Sequence, residues 1–225
     1  MEFYQRYYLR LAAAYTLGKY SSLTFYGNKS LDDMTDDELG SIAKYGVYKG
    51  IKIHRFKKTI ELPRISKILG ILKGLQPSSL LDIGTGRGVF LNPLLDTFPD
   101  LEITCIDLLD FRVEALKALQ KGGIPNLHPF LMDTTELTFE SKSFEVVTAL
   151  EVLEHIEDVG KAVKEVCRVS DRYVLFSVPS KEDDNPEHIH LFSPEMLEDL
   201  FYRNGFQKVN IEHVLNHRIG IAKRT

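Results

Sequence analysis

Leu80-Leu81-Asp82-Ile83-Gly84-Thr85-Gly86-Arg87-Gly88 is an apolar run that carries one acid and then breaks into glycines at alternate positions. Residues 80–83 predict a short buried strand, and Val89, Phe90, Leu94, Leu95 and Phe98 have the spacing of a helix that follows it. In the turn between them, glycine allows φ > 0 and lets a ligand approach where a Cβ would otherwise stand. A strand–turn–helix of this kind opens at the carboxyl end of a parallel sheet, where open α/β sheets bind ligands.

Downstream the same alternation repeats. Apolar runs at 101–107, 127–132, 144–150 and 173–178 read as strands. Helical spacing appears at Ala115, Leu116 and Leu119, with Asp110 as the expected cap, and again over 159–169. Ser193-Pro194 opens another helix, which stops at Gly205. Segments 206–214 and 217–223 are close enough in sequence to pair as an antiparallel hairpin. The expected fold is α/β, a Rossmann-like three-layer sandwich with a mostly parallel sheet covered on both faces.

Residues 1–75 read differently, as helices broken by glycines. Thr35-Asp36-Asp37-Glu38 has the form of a capping box. Pro63 suits a first helical turn, and Ile65, Ile68, Leu69 and Leu72 give that helix one apolar face. We divide the chain into an N-terminal helical extension or lid, 1–60, and a main domain, 61–225.

With 225 residues the chain supports one sizeable core rather than two full domains. No apolar run approaches the ~18 residues of a membrane span, and Met1-Glu2-Phe3-Tyr4-Gln5-Arg6 lacks the apolar core of a signal peptide. A cytosolic protein is expected. Cys105 and Cys167 have no neighbouring cysteine at metal-ligand spacing and are expected to be buried thiols. Net charge is −4, yet residues 41–75 hold nine Lys or Arg against the single acid Glu61. That stretch hints at an anionic partner, while the acidic remainder argues against broad nucleic-acid contact.

Three acids carry the chemistry. The glycine pattern is G-x-G-x-G with Asp82 two residues ahead of it, not the G-x-G-x-x-G of dinucleotide binders, and an acid there suits a cationic amino group better than a diphosphate. Asp107 ends the second strand 19 residues after Gly88, where a carboxylate can accept from two ribose hydroxyls. Asp133 ends the third and can meet an adenine amino group.

On these residues, with Ile106-Asp107, Met132-Asp133-Thr134, and the segments 81–90, 144–156 and 186–197, the chain resembles the class I S-adenosylmethionine-dependent methyltransferases. The nearest likeness is to the small-molecule branch of ubiquinone and menaquinone biosynthesis, over about residues 60–225. The resemblance implies a seven-stranded sheet whose last strand is antiparallel. It also implies S-adenosylmethionine as cofactor, with Asp82 facing its methionine part, Asp107 its ribose and Asp133 its adenine. Gly84, Thr85, Gly86 and Gly88 would line the turn, and Leu108, Thr134 and Leu150 would complete the cofactor site.

Glu151-Val152-Leu153-Glu154-His155 follows the fourth strand, at the mouth where an acceptor would sit. If helical, Glu151, Glu154 and His155 share one face. His188-Ile189-His190 places two imidazoles on one side of an extended segment. Three readings stand together: a general base drawn from His155, His190 and Glu151; a divalent cation held by Glu151, Glu154, His155 and His190, resembling RNA 3′-terminal 2′-O-methyltransferases; or a helix start capped by Glu154 and His155. The expected reaction is methyl transfer to a small-molecule acceptor on O, N or C, with no metal required. Its alternatives are a metal-dependent RNA 2′-O-methyltransferase and a non-catalytic S-adenosylmethionine-binding module. Tyr4, Tyr7, Tyr8, Tyr15, Tyr20, Phe25 and Tyr26 would line an acceptor pocket under the lid, pack on the core or form a homodimer contact.

Overall fold

In a computed structural model, residues 3–20, 29–52, 56 and 59–224 are described, residues 3–5 by backbone alone. Seven strands form one sheet: β1 Ser79–Ile83, β2 Glu102–Asp107, β3 Leu127–Leu131, β4 Phe144–Leu150, β5 Ser170–Pro179, β6 Phe206–Val214 and β7 His217–Arg224. Their order is β3-β2-β1-β4-β5-β7-β6. Strands β1 to β5 pair in parallel, and β7 runs antiparallel between β5 and β6, as the hairpin reading requires.

Side-chain alternation divides the sheet's two faces. In β5, Tyr173 and Leu175 join one buried cluster while Val174, Phe176 and Val178 join the other. On the first face lie α1 Phe3–Lys19, α2 Asp36–Tyr48, α3 Pro63–Leu75, α4 Leu91–Thr97 and α5 Asp110–Lys121, through Leu11, Leu39, Ile68, Leu94 and Leu116. On the second lie α6 Val159–Val169 and α7 Pro194–Tyr202, through Val163 and Leu197. This is the three-layer arrangement expected. Connections run outward in opposite directions from β1 and β4, so the crevice between their carboxyl ends is the topological switch point.

Local signals hold at most boundaries. Thr35 and Glu38 form the reciprocal capping box, Pro63 starts α3, and the Ser193 side chain caps α7. Both cysteines are buried and free, and burial pushes the Cys167 thiol up to about 12. Two boundaries differ from the sequence reading. Asp110 is the first residue of α5 rather than its cap, so it acts on the helix dipole alone. Strand β3 ends at Leu131, which leaves Asp133 in the turn beyond it. No helix among the described residues is long and apolar enough to cross a membrane.

The N-terminal helices share the first-face core. Tyr7 and Tyr15 are buried, and the Tyr7 hydroxyl donates to the Asn92 carbonyl at 2.8 Å. Tyr15 packs against Phe56, and the Tyr20 hydroxyl donates to the Lys49 carbonyl. Phe25, Tyr26 and the Tyr4 side chain lie outside the described residues. Helices α1 and α5 meet backbone to backbone. A Cβ on Gly18 would stand 1.8 Å from the Ala118 oxygen, and one on Gly122 1.7 Å from the Ala14 oxygen. Gly122→Ala must therefore separate the two helices, and we expect a loss of about 1–3 kcal/mol in urea unfolding. Gly70→Ala, on the exposed side of α3 with nothing within 4 Å, should instead be neutral or slightly stabilising.

Candidate active site

The glycine turn hangs from the end of β2. The amides of Gly84 and Thr85 donate to the Ile106 carbonyl at 2.9 and 3.2 Å, and the Gly86 amide donates to Asp107 Oδ2 at 2.9 Å. Gly84, Gly86 and Gly88 have φ of 64°, 61° and 76°, the left-handed region that a side chain disfavours. Space is as tight as conformation at Gly84, where a Cβ would stand 2.6 Å from Val152. That contact also sets the segment after β4 directly against the turn.

Asp82 and Asp107 are both almost fully buried. Asp82 Oδ1 accepts from the Thr148 hydroxyl at 2.8 Å across the β1–β4 pairing, whereas Oδ2 is buried with no partner. Burial pushes this carboxyl up to about 6. Asp107 accepts from Gly86 and Leu109 amides, and Arg112 stands 3.5 Å from Oδ2. A carboxylate has about four lone-pair sites, so Asp107 retains capacity for ribose hydroxyls. Asp133 is exposed, and its Oδ1 accepts from the amide and the hydroxyl of Thr135 at 2.8 and 2.9 Å. Thr85 is buried in the turn, Leu108 is exposed beyond β2, and Thr134 and Leu150 are half-buried. A buried carboxylate oxygen on Asp82 with no partner among the described residues, a left-handed glycine turn and a second strand-end acid fit a ligand with a cationic amino group and a ribose.

The mouth departs from the sequence reading. Glu151 does not begin a helix: its φ is 57°, and only a single 3-10 turn, Leu153–His155, follows. The shared helical face of Glu151, Glu154 and His155 therefore does not form. Glu151 turns toward β5, where Oε1 accepts from the Ser177 hydroxyl at 2.6 Å and Oε2 lies 3.0 Å from His217 Nδ1. His190 directs Nε2 to the Ile156 carbonyl at 2.9 Å and packs on Phe192. His155 is exposed, with Nδ1 2.9 Å from the Glu187 carbonyl.

The four-residue cation set of the alternative reading is thus split. Glu154, His155 and His188 come together instead, with one ligand atom of each within 4.8 Å of the others. Glu154 is fully buried, its two carboxylate oxygens have no hydrogen-bond partner, and burial pushes it up to about 8. It does not solvate a helix start. His217, Ser177 and Thr148 were not read as functional from sequence. Each is a lone polar residue in a strand, and only the sheet brings it to the mouth.

A cleft of about 1130 Å³ adjoins the turn on the first face. Tyr15, Lys19, Phe56, Arg87, Asn92 and Arg112 are among its lining residues, so it is framed by both the extension and the main domain.

Fold and site together define a Rossmann-like enzyme domain with its ligand turn at the β1/β4 switch point. The family described as "Methyltransferase domain" matches residues 54–211. A ubiquinone biosynthesis O-methyltransferase from Rickettsia canadensis is 32% identical over 99 residues, covering 44% of this chain and 41% of that protein. Ribosomal RNA small subunit methyltransferase G from Streptococcus pyogenes serotype M12 is 39% identical over 90 residues, covering 38% of each. The crystal structure of magnesium protoporphyrin IX methyltransferase from Synechocystis, solved with bound SAH, superposes with a TM-score of 0.58 at 17% identity, covering 72% of this chain and 82% of that one. This chain belongs to the class I S-adenosylmethionine-dependent methyltransferase family. It spans about two-fifths of the length of these curated relatives.

The buried acids set a pH dependence. An unfolded glutamate titrates near ~4.3, whereas Glu154 titrates at about 8 in the fold. Between those values the folded state holds a proton that the unfolded state releases, so stability falls as pH rises through that window. Asp82 acts in the same direction up to about 6. In chelator-treated protein, the melting temperature should fall from pH ~5.5 to pH ~8.5. Glu154→Gln should flatten most of the decline above pH ~6; an unchanged slope would show that Glu154 is not its source.

Proposed function

We propose that this chain transfers the methyl group of S-adenosylmethionine to a small-molecule acceptor. One observation carries this reading: Asp82 and Asp107, at the ends of adjacent strands, flank a turn whose three glycines take a left-handed φ, and Asp82 keeps a buried oxygen with no partner among the described residues. Asp82 would hold the cofactor's amino group, Asp107 its ribose and Asp133 its adenine edge. Gly84, Thr85, Gly86 and Gly88 would admit its backbone-facing side, with Leu108, Thr134 and Leu150 around it. The bound cofactor supplies an electrophilic methyl carbon. The chain's part is to align an acceptor in line with that carbon, exclude water and accept the acceptor's proton.

The extension, 1–60, serves in this reading as the lid over the acceptor. Lys19, Lys52, Arg87 and Arg112 along the cleft support an acceptor that carries negative charge. A cytosolic setting belongs to the same reading, and two buried thiols suit it. The acidic balance outside residues 41–75 favours a small molecule over RNA.

The first test is binding. S-adenosylmethionine and its demethylated product should bind in calorimetry while NAD does not. Asp107→Ala should weaken binding more than about tenfold, the loss expected when a charge-assisted hydrogen bond is removed. Equal affinity for NAD would overturn the reading. Methyl-group radiolabel supplied to a panel of phenols, amines and carboxylic acids, beside ribosomal RNA, then identifies the acceptor class.

A second reading is favoured by Glu154, His155 and His188, which together could hold a divalent cation. In the leading reading a proton on Glu154 discharges that buried site at neutral pH, and no ion is needed. Turnover should therefore survive chelation. Loss on chelation with rescue by manganese or magnesium would establish metal-assisted transfer.

A further inference from the structure

We propose that His217 is the base that takes the acceptor's proton, with Glu151 and Ser177 holding its ring; this rests on the reading of the chain as a methyltransferase. His217 opens β7 and is in register with Pro179 at the carboxyl end of β5, while Glu151 follows β4. Both stand at the end of the sheet where the glycine turn lies, and Val152, next to Glu151, touches that turn.

Both ring nitrogens have a neighbour, and the neighbours fix the tautomer. His217 Nδ1 lies 3.0 Å from Glu151 Oε2, in a contact too bent for a hydrogen bond of good geometry. Such pairs are often misaligned before substrate arrives and tighten afterwards. On the other side, Arg64 reaches to 3.5 Å of Nε2 from the first turn of α3. A guanidinium only donates, so it meets a lone pair on Nε2, and the ring proton sits on Nδ1 beside the carboxylate. That is the tautomer a base needs, with its carboxylate orienting the ring and stabilising the cation that forms.

Glu151 is built for this orienting role. Its left-handed φ of 57° is strained for a residue with a side chain. Contacts with β5 hold it there: its amide donates to the Ser177 carbonyl at 2.9 Å and the Ser177 hydroxyl donates to Oε1. Among the described residues, the charged groups in contact with His217 are Glu151 from the β4 end and Arg64 from α3. Arg64 belongs to the basic stretch and sits where it can receive an acceptor's negative charge.

The step balances as follows. The acceptor's O–H or N–H proton passes to His217 Nε2, and the acceptor atom's electron pair forms the bond to the methyl carbon. The carbon–sulfur bond breaks with its pair on sulfur, and the imidazolium later yields its proton to water.

The tautomer is read without any acceptor, by long-range proton–nitrogen NMR of the full chain with S-adenosylhomocysteine near neutral pH. The wild type should show His217 protonated at Nδ1 alone, and Glu151→Gln should shift it toward Nε2. A wild-type ring protonated at Nε2 alone, or doubly protonated, overturns the proposal. In turnover with the acceptor that the panel identifies, His217→Gln should lower kcat at least ~100-fold, and Glu151→Gln by about tenfold or more. Affinity for S-adenosylhomocysteine should stay within about threefold in both variants. If wild type turns over and His217→Gln does so within about threefold of it, the proposal fails while the methyltransferase reading stands. If wild type methylates neither the panel nor RNA, the reading itself has failed and the proposal with it.

Discussion

The backbone N–H of Gly86 donates to a carboxylate that belongs to a different strand, Asp107 at the end of β2. The amides of Gly84 and Thr85 donate to the carbonyl next to it. The ligand turn therefore takes its shape from β2 rather than from its own helix, which does not begin until Leu91. Glycine suits the turn because Gly84 and Gly86 donate to those acceptors at positive φ, as does Gly88, whose amide donates to the Thr85 carbonyl. Thr148 ties the other side, donating to Asp82 across the β1–β4 pairing. The crevice is thus braced from both neighbouring strands, and Asp82 keeps a buried oxygen, Oδ2, with no donor among the described residues. A site braced on strand ends keeps its geometry better than one carried by a free loop.

Much of this was legible before any coordinates. Two-faced apolar runs between turn signals can satisfy their backbone groups only in a covered sheet, so β1, β2, β4 and β5 follow from pattern alone. Asp82 and Asp107 were legible because an acid in or ending such a run needs a reason to be there. The five residues after β4 were not. Glu151-Val152-Leu153-Glu154-His155 has helical spacing, yet Glu151 takes a left-handed φ that glutamate rarely adopts, and nothing local announces it. His217 was equally silent, because one histidine at a strand start has no pattern; its meaning comes from β7 being inserted beside β5. Gly18 reads in sequence as a break in a helix. In the fold it lies inside α1, where its missing Cβ lets α5 approach.

That close approach bears on the boundary between extension and main domain. Buried side chains of α1 and α2 lie in the same cluster as Leu80, Ile103 and Leu116 of the sheet and α5. The Thr59 hydroxyl donates to the Val89 carbonyl at 2.6 Å, beside the glycine turn. Helices fastened this way cannot swing away as a unit without opening apolar core, which costs roughly 25 cal/mol for each Å² exposed.

Two glutamates three residues apart meet opposite fates at the mouth, and the contrast orders its electrostatics. Each carboxylate oxygen of Glu151 has a neighbouring donor group, Ser177 or His217. Both oxygens of Glu154 are buried without one, and the nearby charges of Glu151 and Asp183 raise it further. Like charges so close cannot all be held cheaply in a buried place, so one group keeps its proton. Environments that push paired acids apart assign them different roles. Glu154 becomes a neutral anchor, and its backbone carbonyl accepts from the Ile189 amide at 2.9 Å, pinning the loop before α7 across the mouth. Glu151 is left to face the imidazole at the mouth, and its two hydrogen bonds with Ser177 hold the left-handed backbone that directs it there.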